Sequence, residues 1–284
     1  MIIDTNTSIL GIIGNPLKQT LSPWMHNLTL EKMGLNYVYL PFEVARESLP
    51  DVISAVRTLN IKGLNVTIPF KEEVIPLLDE LSEEANACGA VNVIKNDNGH
   101  LVGYNTDGRG FIASLREEDV PLKGRALFIG AGGATRSTAS ELARAGITHI
   151  DFLDTNKERA SAMASFINGS NCSTSANEMS EEAFADLGKL ADIIVNASPV
   201  GMYPRTGDAP VSSLNTVGNN TVLCDLIYNP LKTRFLLMGE ARGLKAIGGF
   251  SMFVYQGAFT LEILTGMKPP VEYMKEVVLH QLGQ

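Results

Sequence analysis

The stretch that determines the fold spans residues 125–154 and reads RALFIGAGGATRSTASELARAGITHIDFLD. The apolar run from Arg125 to Ile129 predicts a buried strand, and the glycine-rich segment after it predicts a tight turn. Thr135 to Arg144 has the pattern of a helix that ends at Gly146, and His149 to Leu153 has that of a second strand. Strand, glycine loop, helix and strand in this order predict one half of a doubly wound sheet that binds a dinucleotide.

The glycine loop has the chemistry of a pyrophosphate site. Glycine lets the backbone approach phosphate oxygens closely, and the N-terminus of the following helix attracts their negative charge. The loop departs from the Gly-x-Gly-x-x-Gly pattern because Thr135 stands at the third glycine position. We predict that the dinucleotide contacts Gly130, Ala131, Gly132, Gly133 and Ala134.

Asp154, at the end of the second strand, bears on which dinucleotide binds. A carboxylate at this point accepts hydrogen bonds from the ribose hydroxyls and repels the 2′-phosphate of NADP. Thr155 follows it, and the nearest cations are Lys157 and Arg159, which leave NADP open. The residues therefore favour NAD, with Asp154, Thr155 and Arg159 predicted at the cofactor.

Strands alternate with helices on both sides of this stretch, which predicts an α/β chain with two domains divided near residue 107. The first domain is predicted as β-α-β-α-β-α followed by a hairpin. Its predicted strands are Ser8–Gly14, Tyr37–Val44, Gly63–Ile68, Val91–Lys95 and Leu101–Tyr104; its helices start at the N-cap Ser22, at Leu49 and at Glu72, and end at Gly34, Leu59 and Leu78. The later part is predicted to add strands at Asp192–Asn196, Val222–Leu226 and Lys245–Ile247, then helices at Met252–Leu264 and Val271–Leu282.

The composition excludes several classes of protein. The 284 residues include 31 acidic and 23 basic side chains, a net charge of −8 that argues against a nucleic-acid binder. Uncharged stretches fall short of the roughly 18 residues of a membrane span, and the first residues lack a signal-peptide pattern. Three cysteines and four histidines are scattered without metal-ligand spacing, so we predict no metal. We expect a cytoplasmic protein with a small-molecule substrate; no pattern identifies a homodimer face.

Polar residues at the predicted strand ends of the first domain suggest a site for a hydroxyl-rich ligand. Lys71 lies just beyond a strand, where ligands bind in open α/β sheets, and a lysine there can protonate a carbonyl oxygen while hydride reaches the carbon. Asn92 interrupts an apolar run, and Asn105-Thr106-Asp107-Gly108 lies at the domain boundary, where clefts form. Hydroxyl side chains near other strand ends are Thr20, Ser22 and Thr67.

With these residues identified, the chain resembles the shikimate and quinate dehydrogenase family over almost its whole length. A chance match would not reproduce so many motifs in one order. The matching motifs are Gly14-Asn15-Pro16, Ser22-Pro23, His26-Asn27, residues 65–71 (NVTIPFK), 89–92 (GAVN), 103–108 (GYNTDG), the glycine loop, 196–202 (NASPVGM), 225–230 (DLIYNP) and 256–258 (QGA).

The resemblance implies a role for each residue at a matching position. Lys71 would be the general acid and base, paired with Asp107, and both would contact the substrate. The other substrate-binding residues would be Thr20, Ser22, Thr67, Asn92, Tyr228 and Gln256, and the dinucleotide would also contact Ser198, Leu226 and Gly249. The resemblance further implies a substrate domain of residues 1–106 plus 250–284 and a Rossmann-type dinucleotide-binding domain of residues 107–249.

The implied activity is the reversible, NAD(P)-dependent reduction of 3-dehydroshikimate to shikimate, a CH–OH oxidoreductase step in aromatic amino-acid biosynthesis. Two departures bear on substrate and cofactor: Thr20 stands where the family usually has serine, and Asp154-Thr155 stands where NADP-using members commonly carry an arginine. They favour the alternative that the protein is an NAD-dependent quinate/shikimate dehydrogenase. A further alternative is a related enzyme that acts on an amino-substituted ring. A catalytically silent nucleotide sensor is a minor alternative, because Lys71 and Asp107 are both present.

Overall fold

The computed structural model describes residues 2–18, 20–169 and 171–283, and its chain divides into two compact units. Unit 1 takes in residues 1–110 and 254–284, and unit 2 takes in residues 111–253. Met1 and Gln284, which the sequence assigns to the substrate domain, lie outside the described residues. The sequence motifs predict domain limits at residues 106 and 249. The two units of the structure instead meet at residues 110–111 and 253–254, inside the helices Asp107–Glu117 and Gly249–Thr265.

Unit 1 contains a six-stranded mixed sheet with the order β2-β1-β3-β5-β6-β4. β1, β2 and β3 are parallel, β5 runs antiparallel to β3 and β6, and β4 is parallel to β6. The strands are β1 (Ser8–Gly14), β2 (Tyr37–Glu43), β3 (Gly63–Val66), β4 (Glu80–Leu81), β5 (Val93–Asp97) and β6 (His100–Tyr104). The predicted hairpin at Asn98-Gly99 is confirmed as β5 and β6.

The helices within residues 1–110 of unit 1 differ from the sequence prediction: one predicted helix is absent, one has a different N-cap, and two, at Glu83–Cys88 and Asp107–Glu117, were not predicted. They are α1 (Ser22–Lys32), α2 (Leu49–Thr58) and α3 (Glu83–Cys88), and α4 (Asp107–Glu117) begins in this unit. The helix predicted from Glu72 to Leu78 is wrong: only a 3-10 turn, Ile75–Leu77, forms, because Pro76 has no N–H and its ring crowds the carbonyl four residues earlier. Ser22 is also not the N-cap, since Leu21 occupies that position, and the Ser22 hydroxyl instead accepts a bond from Thr20.

Unit 2 contains a six-stranded, fully parallel sheet with the order β12-β11-β10-β7-β8-β9. This is the doubly wound Rossmann order, in which successive strands first proceed to one side and then to the other, so the order reverses between β7 and β10. The strands are β7 (Gly124–Ile129), β8 (Ile147–Asp154), β9 (Ser173–Glu178), β10 (Ile193–Asn196), β11 (Val222–Asp225) and β12 (Ala246–Ile247). β9 was not predicted, because its sequence, STSANE, has no apolar alternation.

Both faces of this sheet are buried, which explains the continuous apolar run of β7. Ala126 and Phe128 enter one core, and Leu127 and Ile129 enter the core on the opposite face. Phe128 stacks on Phe152 of β8 at 5.8 Å between ring centroids. A strand in a parallel sheet with helices on both sides has no solvent-facing side chains, so its sequence loses the alternation of a half-buried strand.

Helices connect these parallel strands and continue the chain after them. They are α5 (Gly133–Ala145), α6 (Lys157–Ile167), α7 (Glu181–Gly188), α8 (Arg234–Ala241), α9 (Gly249–Thr265) and α10 (Val271–Gln281). The chain passes from unit 2 to unit 1 within α9, and α10 packs against α1. None of the helices in residues 2–18, 20–169 and 171–283 has both the length and the hydrophobicity that crossing a membrane requires.

Candidate active site

Lys71 and Asp107 form a partly exposed ion pair in unit 1 that is suited to acid–base chemistry. Lys71 follows β3, and Asp107 is the first residue of α4. The Lys71 ammonium donates to Asp107 Oδ2 at 2.5 Å, while the two side chains keep 18% and 11% of their surface exposed. Lys71 is also held at its backbone, because its carbonyl accepts a bond from the Val91 N–H. The pair is therefore fixed in position and still accessible to a ligand.

Asn92 holds the other oxygen of the Asp107 carboxylate. Its amide nitrogen donates to Asp107 Oδ1 at 2.9 Å and to Thr106 Oγ1 at 2.9 Å, and its amide oxygen accepts from the Thr106 N–H at 2.8 Å. Asn92 is 2% exposed, so this polar residue of an apolar run is satisfied within the protein. Asn92 donates its two amide hydrogens to Thr106 and Asp107. We infer that its main role is to orient the Asp107 carboxylate.

Three buried residues that sequence reasoning did not assign to the site extend this network. Thr260 on α9 lies 3.3 Å, oxygen to oxygen, from Thr106, and it accepts a bond from Asn65 Nδ2 at 3.3 Å. Asn65 in turn accepts from the Tyr39 hydroxyl at 2.7 Å. Asn65 is a polar residue in the apolar strand β3, and this break in the pattern could have identified it from the sequence. The sequence gives no such signal for Thr260 and Tyr39, because their partners are far away in sequence.

The remaining predicted substrate residues of unit 1 fall into three groups. Thr20 and Ser22 touch one another, since the Thr20 hydroxyl donates to Ser22 Oγ at 3.1 Å. Thr67 follows β3 and is partly exposed. Gln256 lies on α9 one turn before Thr260, whose hydroxyl donates to the Gln256 carbonyl at 2.9 Å. Contacts therefore connect Gln256 with the Lys71–Asp107 network and pair Thr20 with Ser22.

His26, which belongs to a family motif, is not a candidate acid or base. Its side chain is fully buried against Tyr39, with ring centroids 4.5 Å apart, and neither ring nitrogen has a hydrogen-bond partner among the described residues. Burial lowers its pKa to about 3, because the charged ring would lose its hydration. His26 is therefore neutral at physiological pH.

In unit 2, the glycine loop has the geometry that a pyrophosphate requires. Gly130 has a φ of +99°, and a Cβ on it would lie 3.1 Å from the Ser198 nitrogen. A Cβ on Gly132 or Gly133 would meet no described atom within 4 Å, so both glycines face open space that a ligand can fill. Gly132 caps α5 without a side-chain hydrogen bond from the described residues, which leaves the first N–H groups of the helix for an anion. Of the other two predicted residues of the loop, Ala131 is buried and Ala134 is partly buried.

Asp154 is buried at the end of β8 and supports the loop directly. Its carboxylate accepts the Ala131 N–H on Oδ2 at 2.8 Å and the Asn156 N–H on Oδ1 at 2.9 Å. Arg159 lies with Nη1 4.0 Å from Asp154 Oδ2 and is 61% exposed, and Thr155 is exposed beside it. Sequence reasoning gave Asp154 a ribose-binding role and did not foresee that it also holds the glycine loop.

The other predicted cofactor residues of unit 2 lie at the ends of β10 and β11. Ser198 follows β10 and Leu226 follows β11. A Cβ on Gly249 would lie 2.3 Å from the Leu226 carbonyl oxygen, so these two residues are in direct backbone contact. Tyr228, which the resemblance places with the substrate residues, belongs to unit 2 and stacks on Phe253 at 4.4 Å.

A buried carboxylate, Asp225, lies among these loops. It accepts bonds from Asn196 at 3.1 Å, from Thr233 at 2.7 Å and from the Ile227 N–H at 3.0 Å. Loss of hydration raises its pKa to about 6, although these bonds act in the opposite direction. No group of three or more histidine, cysteine or acidic side chains arranged to hold a metal occurs within the described part of the chain.

Comparisons with known proteins identify similar sequences along the whole chain. The model of the shikimate dehydrogenase substrate binding domain matches residues 12–94, and that of the shikimate 5′-dehydrogenase C-terminal domain matches residues 249–279. A shikimate dehydrogenase (NADP(+)) of Syntrophomonas wolfei subsp. wolfei is 58% identical, with 99% of this chain and 98% of the relative covered.

Two solved structures have the same fold at substantial identity. A shikimate dehydrogenase in complex with NADP+ has a TM-score of 0.91 and 38% identity, covering 99% of this chain and 98% of its own. A shikimate 5-dehydrogenase from Listeria monocytogenes, in complex with shikimate and NAD, has a TM-score of 0.90 and 34% identity, covering 97% of this chain and 98% of its own.

The raised pKa of Asp225 predicts a pH-dependent loss of stability. Because its folded pKa of about 6 exceeds the ordinary 3.8, its contribution to stability is full below the ordinary value and is lost as pH rises through about 6. The difference corresponds to roughly 3 kcal/mol at neutral pH. Asp225→Asn removes this titration, so the unfolding free energy of the variant relative to the wild type should rise between pH 4 and pH 7, as measured by urea unfolding.

Asp151→Asn provides the control with the opposite sign. Burial works to raise the pKa of Asp151, but the bonds from Arg125, Ser175 and His149 outweigh it and hold that pKa below its ordinary value. The wild type should therefore lose the stabilisation by Asp151 as pH falls. A free-energy difference between Asp225→Asn and the wild type that stays constant from pH 4 to pH 7 would contradict the assignment.

Proposed function

This chain belongs to the shikimate dehydrogenase family, and on that premise we propose that it catalyses the reversible, NAD(P)-dependent reduction of 3-dehydroshikimate to shikimate. The observation that carries the proposal is the Lys71–Asp107 pair, 2.5 Å apart and anchored by Asn92. A proton donor held by a carboxylate, beside hydroxyl and amide groups, is what reduction of a ketone on a hydroxylated ring needs.

The residues of unit 1 would handle the proton in this reaction. The bound dinucleotide supplies or accepts the hydride. In the reducing direction, Lys71 donates a proton from Nζ to the ketone oxygen, and Asp107 holds the ammonium toward the substrate. In the oxidising direction, Lys71 acts as base and takes the proton of the substrate hydroxyl. Thr20, Ser22, Thr67, Asn92 and Gln256 are proposed to bind the hydroxyl and carboxylate groups of the substrate.

Thr20 keeps quinate as a second candidate substrate. The threonine retains the hydroxyl, which donates to Ser22, and adds a methyl group to the pocket. A single methyl or hydroxyl group in a pocket changes substrate preference by only about 1–3 kcal/mol. We propose shikimate as the main substrate, with quinate turned over to a lesser extent.

Unit 2 is proposed to bind the dinucleotide, with NAD preferred over NADP. The relative from Syntrophomonas wolfei is named for NADP(+) and the Listeria structure holds NAD, so family membership leaves the choice to local residues. Asp154 places a negative charge at the end of β8, where the 2′-phosphate of NADP would lie. Arg159 is the nearby cation, and its guanidinium is 4.0 Å from Asp154, so that carboxylate offsets part of its charge.

A cytoplasmic location is proposed from the thiol chemistry. Cys88, Cys172 and Cys224 are all buried, and Cys172 and Cys224 carry free thiols, as expected for a chain that folds in a reducing compartment.

The proposed function is tested by steady-state kinetics with four substrate pairs. Shikimate or quinate is combined with NAD+ or NADP+, and formation of the reduced nucleotide is followed by absorbance. We expect the highest kcat/KM for shikimate with NAD+. A higher kcat/KM for quinate would favour the quinate alternative, and no turnover of either substrate would favour the nucleotide sensor.

The role of Lys71 is tested by Lys71→Ala. We expect kcat to fall by roughly 10²–10⁴, the usual contribution of a general acid–base group. Lys62→Ala is the matched control, because Lys62 immediately precedes β3 whereas Lys71 follows it. If KM rose while kcat stayed constant, Lys71 would be a binding residue only.

The cofactor preference is tested by Asp154→Asn. Removal of the charge should lower the ratio of kcat/KM for NADH to that for NADPH by about tenfold, because a repulsion of roughly 1.4 kcal/mol is lost. Glu158→Gln removes an exposed negative charge from the same segment, without the bond to Ala131, and should leave the ratio unchanged. A wild-type enzyme that already prefers NADPH would show that Arg159 outweighs Asp154.

A further inference from the structure

Two motif residues of unit 2, Asn196 and Asp225, have no role in the reaction proposed above. They end the neighbouring strands β10 and β11 and are paired in register. Asn196 is 0% exposed and Asp225 is 1% exposed, and the Asn196 amide donates to the Asp225 carboxylate at 3.1 Å. Asp225 has no cationic partner among the described residues, and burial of such a carboxylate costs stability, so we expect it to have a role beyond packing.

Asn196 fixes the loop that lies against the glycine loop. Its Oδ1 accepts the Ser198 N–H at 3.1 Å and the Ser198 hydroxyl at 2.7 Å, and its Nδ2 donates to the Val200 carbonyl at 3.2 Å. The same loop touches Gly130, because a Cβ there would lie 3.2 Å from the Ala197 carbonyl oxygen. Loss of the Asn196 side chain would therefore release the segment that forms one wall beside the glycine loop.

Asp225 fixes the next loop by the same means. Its Oδ1 accepts the Ile227 N–H at 3.0 Å, and its Oδ2 accepts from Thr233 at 2.7 Å, which places the start of α8. The Ile227 carbonyl accepts the Gly249 N–H at 3.0 Å, so the beginning of α9 rests on this loop. The loop includes Leu226, a predicted cofactor residue.

These loops surround the point where a doubly wound sheet binds its ligand. The strand order reverses between β7 and β10, and ligands bind beyond the carboxyl ends of the strands at that reversal. We propose that Asn196 and Asp225 form a positioning pair that holds residues 196–200 and 225–227 in the shape that the dinucleotide requires. This inference rests on the proposed function, and it assigns the pair no contact with a reacting atom.

A purely structural role is the alternative, and unit 2 supplies its control. Asp151 in β8 is also 0% exposed and accepts two bonds from the Arg125 guanidinium. Its other side-chain partners among the described residues, His149 and Ser175, belong to strands β8 and β9 and not to the cofactor loops. Asp151→Asn therefore disturbs a buried carboxylate of the same sheet without touching residues 196–200 or 225–227.

The test measures dinucleotide binding separately from catalysis. NADH and NADPH are titrated into the full chain and into Asn196→Ala, Asp225→Asn, their double variant and Asp151→Asn, with nicotinamide fluorescence as the readout. We expect Kd to rise about tenfold in each single variant, as for loss of a buried hydrogen-bonded group. The double variant should lose little more, because the two residues act as a unit. In steady-state kinetics, KM for the nucleotide should rise while KM for shikimate stays constant.

Defined outcomes would overturn the proposal. Unchanged Kd values in Asn196→Ala and Asp225→Asn would do so, as would an equal rise in Asp151→Asn at matched loss of stability. Should Asn196→Ala fail to fold, Thr233→Val removes the hydroxyl that donates to Asp225 Oδ2 and should raise Kd about threefold. A wild-type chain that binds NADH and NADPH but does not oxidise shikimate would refute the proposed function and leave the Kd test of the pair intact. A chain that binds neither nucleotide would refute both.

Discussion

Three carboxylates removed from water organise the loops at the strand ends of this protein. Asp107, Asp154 and Asp225 are 7%, 7% and 1% exposed. A buried carboxylate is costly unless it accepts hydrogen bonds, so the loops around each one must bring donors to it. Asp107 takes Lys71 and Asn92, Asp154 takes the backbone of Ala131 and Asn156, and Asp225 takes Asn196, Thr233 and Ile227. The need of each buried carboxylate for hydrogen-bond donors therefore shapes the loops around it.

The three acids differ in the donors that they bind, and their roles differ accordingly. Asp107 has a cationic partner that stays partly exposed, which makes the pair suitable for proton transfer. Asp154 holds a backbone N–H of the glycine loop, and we propose that its charge faces the ribose of the dinucleotide. Asp225 accepts bonds from neutral donors among the described residues, and burial raises its pKa because the charged form loses its hydration. The partner of each acid thus separates a reactive role from a supporting one.

Much of the fold was predictable because both units repeat strongly patterned elements. The glycine loop, the apolar strands β7 and β10 and the hairpin at Asn98-Gly99 follow from local sequence. The predictions were wrong or incomplete where local pattern was weak. Pro76 prevents the helix expected from Glu72 to Leu78, and the polar edge strand β9 has no apolar alternation. The two-residue strand β4 depends on its pairing with β6 and has no local signal of its own.

The sequence by itself determined the chemical groups, since each lies in a short motif whose residues are neighbours in the chain: Lys71, Asp107, the glycine loop and Asp154 at the end of β8. Only the tertiary structure decided which polar groups meet. The bonds that link Thr260 to Asn65 and Thr106, and Asn196 to Asp225, join residues far apart in sequence. They form because parallel strands bring distant chain segments to one edge of a sheet, where burial forces their donors and acceptors to pair.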